Sequence, residues 1–353
     1  MADRLFLVHG MGLQAGGWEQ PLRSQLGSLF GRHSRLGTGN LDELFQVVPI
    51  QYDDIFRGLL DRWQADANAF GRPDEPASPL VTRLTGWLND AGNDEQQLWT
   101  HPVDVLLYRF FPDVRQAVKT RVALQIATEL ATLKASENWC VVAHSMGTAV
   151  THDALDMLWS GTLPAGAPTG FDPQRRQAQA IVMLANVSRV LQTSSKVYES
   201  TVMPGPAGQA GRGCFQYLTA FHRLDPFTWV NPFRPIAWPD ATADAKGLYQ
   251  FLEADHIHEW NIHDGVHYLK HPSVFVPVLR ALTFQTAVTK PAEAAAHAEF
   301  EPFGPITAAG AVTIKSWLED RMPTAGADWK ALLDLAEWFF APPQDVSDAG
   351  GGP

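Results

Sequence analysis

Short apolar runs recur along the chain, separated by longer stretches whose apolar residues return at helical spacing. Leu5 to Val8, Phe45 to Ile50 and Trp139 to Ala143 are short, mostly apolar runs, as are Ala180 to Ala185 and Phe215 to Phe221; a sixth, more polar run spans His256 to Ile262. Short runs of this kind predict parallel strands buried on both faces. The intervening segments predict helices. Leu22, Leu26, Leu29 and Phe30 mark one over Trp18 to Phe30, and Val118, Val122, Ile126, Leu130 and Leu133 mark a long one over Val114 to Leu133. Met146 to Trp159 and Pro272 to Leu282 predict two more, the last opened by a proline whose missing N–H costs little in a first turn. Strand and helix in alternation predict a doubly wound, mostly parallel α/β sheet of about six strands.

Two stretches break the alternation. Residues 51–112 carry Trp63, Phe70, Trp87, Trp99, Phe110 and Phe111 around a break at Pro73, Pro76 and Pro79. They read as a helical, lid-like insertion whose aromatics form a small core of their own or, as the alternative, a wall for an apolar substrate. Met203 to Gly213, rich in Gly and Pro, reads as a loop. Residues 1–284 form the main domain on this reading, 285–346 a helical C-terminal extension, and 347–353, ending Gly-Gly-Gly-Pro, a disordered tail.

Composition narrows the function classes. With 27 Lys and Arg against 38 Asp and Glu, the net charge is −11, which lacks the basic footprint that nucleic acid or an anionic membrane demands. No apolar run nears the ~18 residues of a membrane span, and the N-terminus lacks a signal-peptide layout, so the expected location is cytoplasmic. Cys140 and Cys214, the two cysteines, sit in or beside expected strands and read as small buried hydrophobes, too few for a disulfide framework.

The chemistry gathers at strand ends. Ala143-His144-Ser145-Met146-Gly147 lies between an apolar strand and a helix, the context a nucleophile elbow requires. Such a turn is crowded two residues either side of the serine; Gly147 meets this, and Ala143 stands where the strict pattern has glycine. The hydroxyl would sit at a helix N-terminus, which favours developing negative charge. The bland alternative is a Ser-Gly turn without catalysis. Earlier, the first strand ends in His9-Gly10-Met11-Gly12. Acyl transfer needs two backbone N–H groups aimed at one oxyanion, and glycines permit the close approach. Met11 and Met146 are the expected donors, with His9 orienting the loop; a plain glycine turn is the alternative.

With strand-His-Gly-x-Gly first and the elbow later, residues 4–284 resemble the α/β-hydrolase superfamily, closest to its lipase and esterase-like branch. The resemblance implies a triad in the order serine, acid, histidine. It implies that the acid follows the next-to-last strand, where the run Gln216 to Phe221 leads to Asp225-Pro226. A carboxylate there can fix an imidazole tautomer and stabilise the imidazolium; an Asp-Pro turn opener is the alternative. The other position the family uses, after Ile181 to Ala185, offers Asn186 and Ser188 but no carboxylate. The base should lie between the last strand and the last helix, where His263 and His267 both qualify; the family's histidine before a tyrosine and a helix-opening proline favours His267, ahead of Tyr268 and Pro272. His256 and His258, two apart, read as packed or surface residues of the sixth strand.

This histidine-rich stretch invites a metal reading, but the spacing argues against it. His258-Glu259 followed by His263 is one residue too long for H-E-x-x-H, and Pro272 disturbs any helix that would align His267 with His271. Neither a metal nor a cofactor is expected. The leading expectation is a carboxylic-ester hydrolase working through an acyl-enzyme on a small-molecule substrate. An amidase or serine peptidase would use the same residues, and a non-catalytic binding module would show a lost triad member.

Overall fold

A computed structural model describes residues 3–10, 17–36, 39–69, 105, 107–109, 111–168, 176–191, 202–206, 212–222, 225–229, 232–235, 238, 248–254, 256, 263–284 and 287–300. Six strands, β1 (Asp3–Val8), β2 (Phe45–Ile50), β3 (Trp139–His144), β4 (Ala178–Leu184), β5 (Cys214–His222) and β6 (Tyr249–Ala254), form one sheet in the order β2-β1-β3-β4-β5-β6. Every pairing is parallel, with Val8 between Ile50 and Ala143, and His144 beside Leu184. The helices are α1 (Gln20–His33), α2 (Asp53–Ala69), α3 (Pro112–Thr132), α4 (Met146–Trp159), α5 (Ser188–Leu191), α6 (Pro226–Trp229), α7 (Gly265–Tyr268), α8 (Pro272–Leu282) and α9 (Lys290–Glu299).

The inner strands are largely apolar because both of their faces are covered. Side chains alternate across a strand. Phe6, Val8, Val141 and Ala143 pack with Val118, Val122 and Ile126 of α3 and Ala149 and Val150 of α4. Their neighbours Leu5, Leu7, Cys140 and Val142 pack on the opposite side with Leu26 and Phe30 of α1 and Val278, Leu279 and Leu282 of α8. Each Val, Leu, Ile or Phe among them taken fully from water contributes roughly 1.5–3 kcal/mol before entropy is counted. Pro49 is tolerated in β2 because that strand lies at the sheet edge, where one row of N–H groups has no ladder to join. Cys140 and Cys214 are both buried thiols.

One strand differs from the sequence reading. The sixth is Tyr249–Ala254, not His256 to Ile262. As the other edge strand it is only half covered, so its sequence, Tyr-Gln-Phe-Leu-Glu-Ala, is too polar to stand out as an apolar run. His256 lies past its end and is exposed; residues 257–262, and with them His258, lie outside the described residues. Of the 51–112 insertion, α2 is described as a helix, and 70–104 lie outside the described residues. Of the C-terminal extension, α9 is helical and packs through Ala296 near α1 and α8, held by Arg280 to Glu293 at 2.8 Å; residues 301–353, including the tail, lie outside the described residues. Among the described residues no helix is long and apolar enough to cross a membrane.

Candidate active site

Parallel strands bring their C-terminal ends to one edge of the sheet, and the candidate residues follow those ends. Ser145 links β3 to α4 with φ 53° and ψ −127°, a left-handed conformation rare for a residue with a Cβ and costing of order 1–3 kcal/mol. Neighbouring bonds hold the strain. The Ser145 N–H donates to the Leu184 carbonyl at 3.0 Å, and the Ser145 carbonyl accepts from the Thr148 N–H at 2.9 Å and the Thr148 hydroxyl at 2.6 Å.

Glycines make room for the turn. A Cβ on Gly147 would lie 2.2 Å from the His9 carbonyl oxygen and 2.8 Å from that of Val8, so α4 starts directly against the end of β1. A Cβ on Gly10 would lie 2.8 Å from the Ser145 Cβ. The strand-end glycine and the turn at Ser145 therefore pack on each other. Met146 opens α4, so its N–H belongs to the first turn and has no carbonyl one turn back within the helix. Met11 and Gly12 lie outside the described residues.

The serine hydroxyl meets a histidine from late in the chain. Ser145 Oγ lies 2.7 Å from His263 Nε2, and His263 Nδ1 lies 2.8 Å from Asp225 Oδ2. With Nδ1–H donating to the carboxylate, Nε2 carries the lone pair that accepts from the hydroxyl. Asp225, wholly buried at the start of α6, also accepts from the Tyr268 hydroxyl at 2.7 Å and, through Oδ1, from the Phe227 N–H at 3.1 Å. Burial and the adjacent carboxylate push the Tyr268 phenol well above its usual range, so it remains a donor.

Two expectations meet different outcomes here. Asp225 and His263 join Ser145, whereas His267 does not: it is buried in α7, turned toward His222 and His271, with ring centroids 5.2 and 5.0 Å away. The reason is helical geometry. His263 sits in the turn before α7 and faces Ser145, and four residues on, after the Asp264 cap, His267 lies inside the helix. The Tyr268 that singled out His267 by its neighbourhood donates its hydroxyl to the same Asp225 carboxylate that His263 meets.

Two further residues were not anticipated as parts of the site. His144 donates from Nε2 to the His263 carbonyl, tying the elbow to the base-bearing turn. Burial, reinforced by His263 and opposed by Asp264 and Asp225, lowers its pKa to about 4, so it is neutral at pH 7. Tyr52, just after β2, stacks on His9 with centroids 4.1 Å apart and donates to the His9 carbonyl at 2.6 Å. His9 donates from Nδ1 to the Gly10 carbonyl at 2.7 Å, and its Nε2 lies 3.0 Å from an Asp53 carboxylate oxygen. His9 thus meets Tyr52 and Asp53, the residues that follow β2 into α2. The only advance signal was position: His144 inside the elbow motif, Tyr52 at a strand end.

Asn186, at the alternative acid position, lies in a different buried network. Its amide donates to Tyr217 and Thr219, both at 3.1 Å, and its carbonyl oxygen accepts from the Ser188 hydroxyl at 2.7 Å. No protein-family profile matches the chain, and no curated protein or solved structure is significantly similar to it.

Proposed function

We propose that this protein is a serine hydrolase of the α/β-hydrolase type that cleaves carboxylic esters, with Ser145 as nucleophile, His263 as general base and acid, and Asp225 as the carboxylate that orients His263. The observation that carries this reading is the continuous Ser145–His263–Asp225 relay, at 2.7 and 2.8 Å, on a serine held at positive φ. A serine hydroxyl is a weak nucleophile until a base accepts its proton in the transition state.

The mechanism follows from those contacts. Ser145 Oγ attacks the ester carbonyl as its proton passes to His263 Nε2. Asp225 stabilises the resulting imidazolium through Nδ1–H, and Tyr268 and the Phe227 N–H keep the carboxylate in place. The N–H of Met146 receives the oxyanion, with the loop residue Met11 assigned as second donor. His263 then returns its proton to the departing alcohol. Water, deprotonated by the same ring, attacks the acyl-enzyme and regenerates Ser145. On this reading residues 51–112 are a lid. Their first residues touch the loop that precedes Met11, through Tyr52 on His9, which couples the insertion to the oxyanion site.

The test combines a fluorophosphonate probe with nitrophenyl esters of increasing acyl length. Labelling that vanishes in Ser145→Ala, together with ester turnover, is expected. Folded protein that is neither labelled nor able to turn over any of the esters overturns the reading.

A further inference from the structure

Near Tyr268, three histidines from two parts of the chain converge. His222 ends β5, His267 lies in α7, and His271 caps α8. All are at most 1% exposed. Their ring centroids lie 5.0–5.7 Å apart, and one nitrogen from each lies within 4.8 Å of the other two. We propose that His222, His267 and His271 bind one divalent transition-metal ion, zinc in particular.

Three arguments support this. The first is ligand type. A set of three neutral imidazoles suits zinc and its neighbours, not the hard cations calcium and magnesium, which take oxygen ligands. Three protein ligands with a fourth position filled from solution is an established zinc arrangement, and a hydroxide or chloride there would offset part of the buried charge. The second is tautomer control. His222 Nε2–H donates to the His256 carbonyl at 2.9 Å, which leaves the lone pair on Nδ1. A carbonyl fixing one ring nitrogen so that the other can ligate is the common outer arrangement of metal-bound histidine. The third is approach. A cleft of about 320 Å³ between α1, α8 and α9 is lined by Lys270, Pro272 and Phe300, the two chain neighbours of His271 and a ring 5.2 Å from it. Bonds of about 2.0–2.1 Å in a tetrahedron set ligand atoms roughly 3.3 Å apart, so nitrogens within 4.8 Å of one another close by up to about 1.5 Å on binding.

The site's place in the fold gives it a consequence. His222 precedes Asp225 by three residues, and His267 follows His263 by four. A metal here would clamp the strand that delivers Asp225 to the helix that follows His263. Metal uptake, ligand count and thermal stability are read without the hydrolase reading; the labelling arm alone rests on it. It reverses the expectation drawn from histidine spacing, since His222 comes from a strand some 45 residues earlier and no linear motif contains it.

The full-length protein, stripped with chelator, is titrated with Zn²⁺ and separately with Co²⁺. One equivalent should bind, Co²⁺ should give the intense visible bands of a four-coordinate site, and Zn²⁺ should raise the thermal midpoint by several degrees. Hyperfine-shifted imidazole N–H signals in Co²⁺-loaded wild type count the ligands without any substitution, and three are expected. Folded His271→Gln should lose the binding. Zn²⁺ should leave fluorophosphonate labelling of Ser145 unchanged, which separates this site from capture of His263. No uptake by wild type, fewer than three shifted imidazoles, undiminished binding by folded His271→Gln, or labelling blocked by one equivalent of Zn²⁺ each overturns the proposal. If His271→Gln does not fold, the ligand count in wild type decides.

Discussion

At the scale of single residues, the site depends on how Asp225 is held. Three donors converge on this buried carboxylate, but they serve different ends. On the proposed mechanism, the bond from His263 Nδ1–H is the one through which Asp225 acts on the base; Tyr268 and Phe227 fix the orientation of the carboxylate. Asp225→Asn keeps the shape but favours the wrong imidazole tautomer, and should cut ester turnover by roughly 10⁴-fold while the protein stays folded. Near-normal kcat/KM in that variant would identify a different acid. Tyr268→Phe removes one donor and leaves His263 bonded. It should cost about 1.5–3 kcal/mol of stability, as expected for a buried hydrogen bond to a charged group, with turnover falling at most about tenfold. Urea denaturation beside steady-state kinetics separates the two effects, and a Tyr268→Phe enzyme as impaired as Asp225→Asn would mean the phenol does more than position.

At the scale of elements, the elbow works because β1, β3 and α4 are packed with no space to spare. The register that sets Val8 beside Ala143 carries the chain of β1 directly across the first turn of α4. Gly147→Ala would drive a methyl into the backbone carbonyls of Val8 and His9, which no side-chain rotation relieves. We expect a loss of several kcal/mol or failure to fold, the upper end of point-mutant effects. Gly58 in α2 is the contrast. A Cβ there meets nothing within 4 Å, so Gly58→Ala should stabilise the helix by roughly 0.5–1 kcal/mol. Thermal midpoints of the pair test whether the tolerance for a methyl follows the packing. Equal effects would mean that α4 can shift away from β1.

At the scale of the whole molecule, burial of histidines makes stability depend on pH. His144 has a folded pKa of about 4, against about 6.5 in an unfolded chain, because burial and His263 oppose its charge. Above pH 6.5 it is neutral in both states and its contribution is fully present. Between pH 6.5 and 4 the unfolded chain takes up a proton that the folded protein refuses, so stability is lost as pH falls through that window. At about 1.4 kcal/mol per unit, the loss is on the order of 3 kcal/mol for this residue. Urea midpoints measured from pH 7 to pH 4.5 should fall, and the slope should be shallower in His144→Gln, whose amide can still donate to the His263 carbonyl. An identical slope in both proteins would remove His144 as a source of the acid sensitivity.

The alternation of apolar runs and helical stripes was enough to determine an α/β sheet of six strands, since parallel strands covered on both faces must be apolar on both faces. Five strands and the helices α1, α3, α4 and α8 could be read this way, as could Ser145 between strand and helix. The sixth strand escaped because an edge strand needs only half the apolar content. The histidine that meets Ser145 escaped for a different reason. His263 and His267 are four residues apart in a stretch of similar composition, and linear context favours the one that precedes a tyrosine and a proline. Which ring reaches Ser145 depends on where α7 begins and which way its first turn faces, and those are set by packing of the helix under β5. The same folding brings His222 beside His267 and His271, and seats Tyr52 on His9. Such meetings join residues tens of positions apart, so only the three-dimensional arrangement of the strand ends decides them.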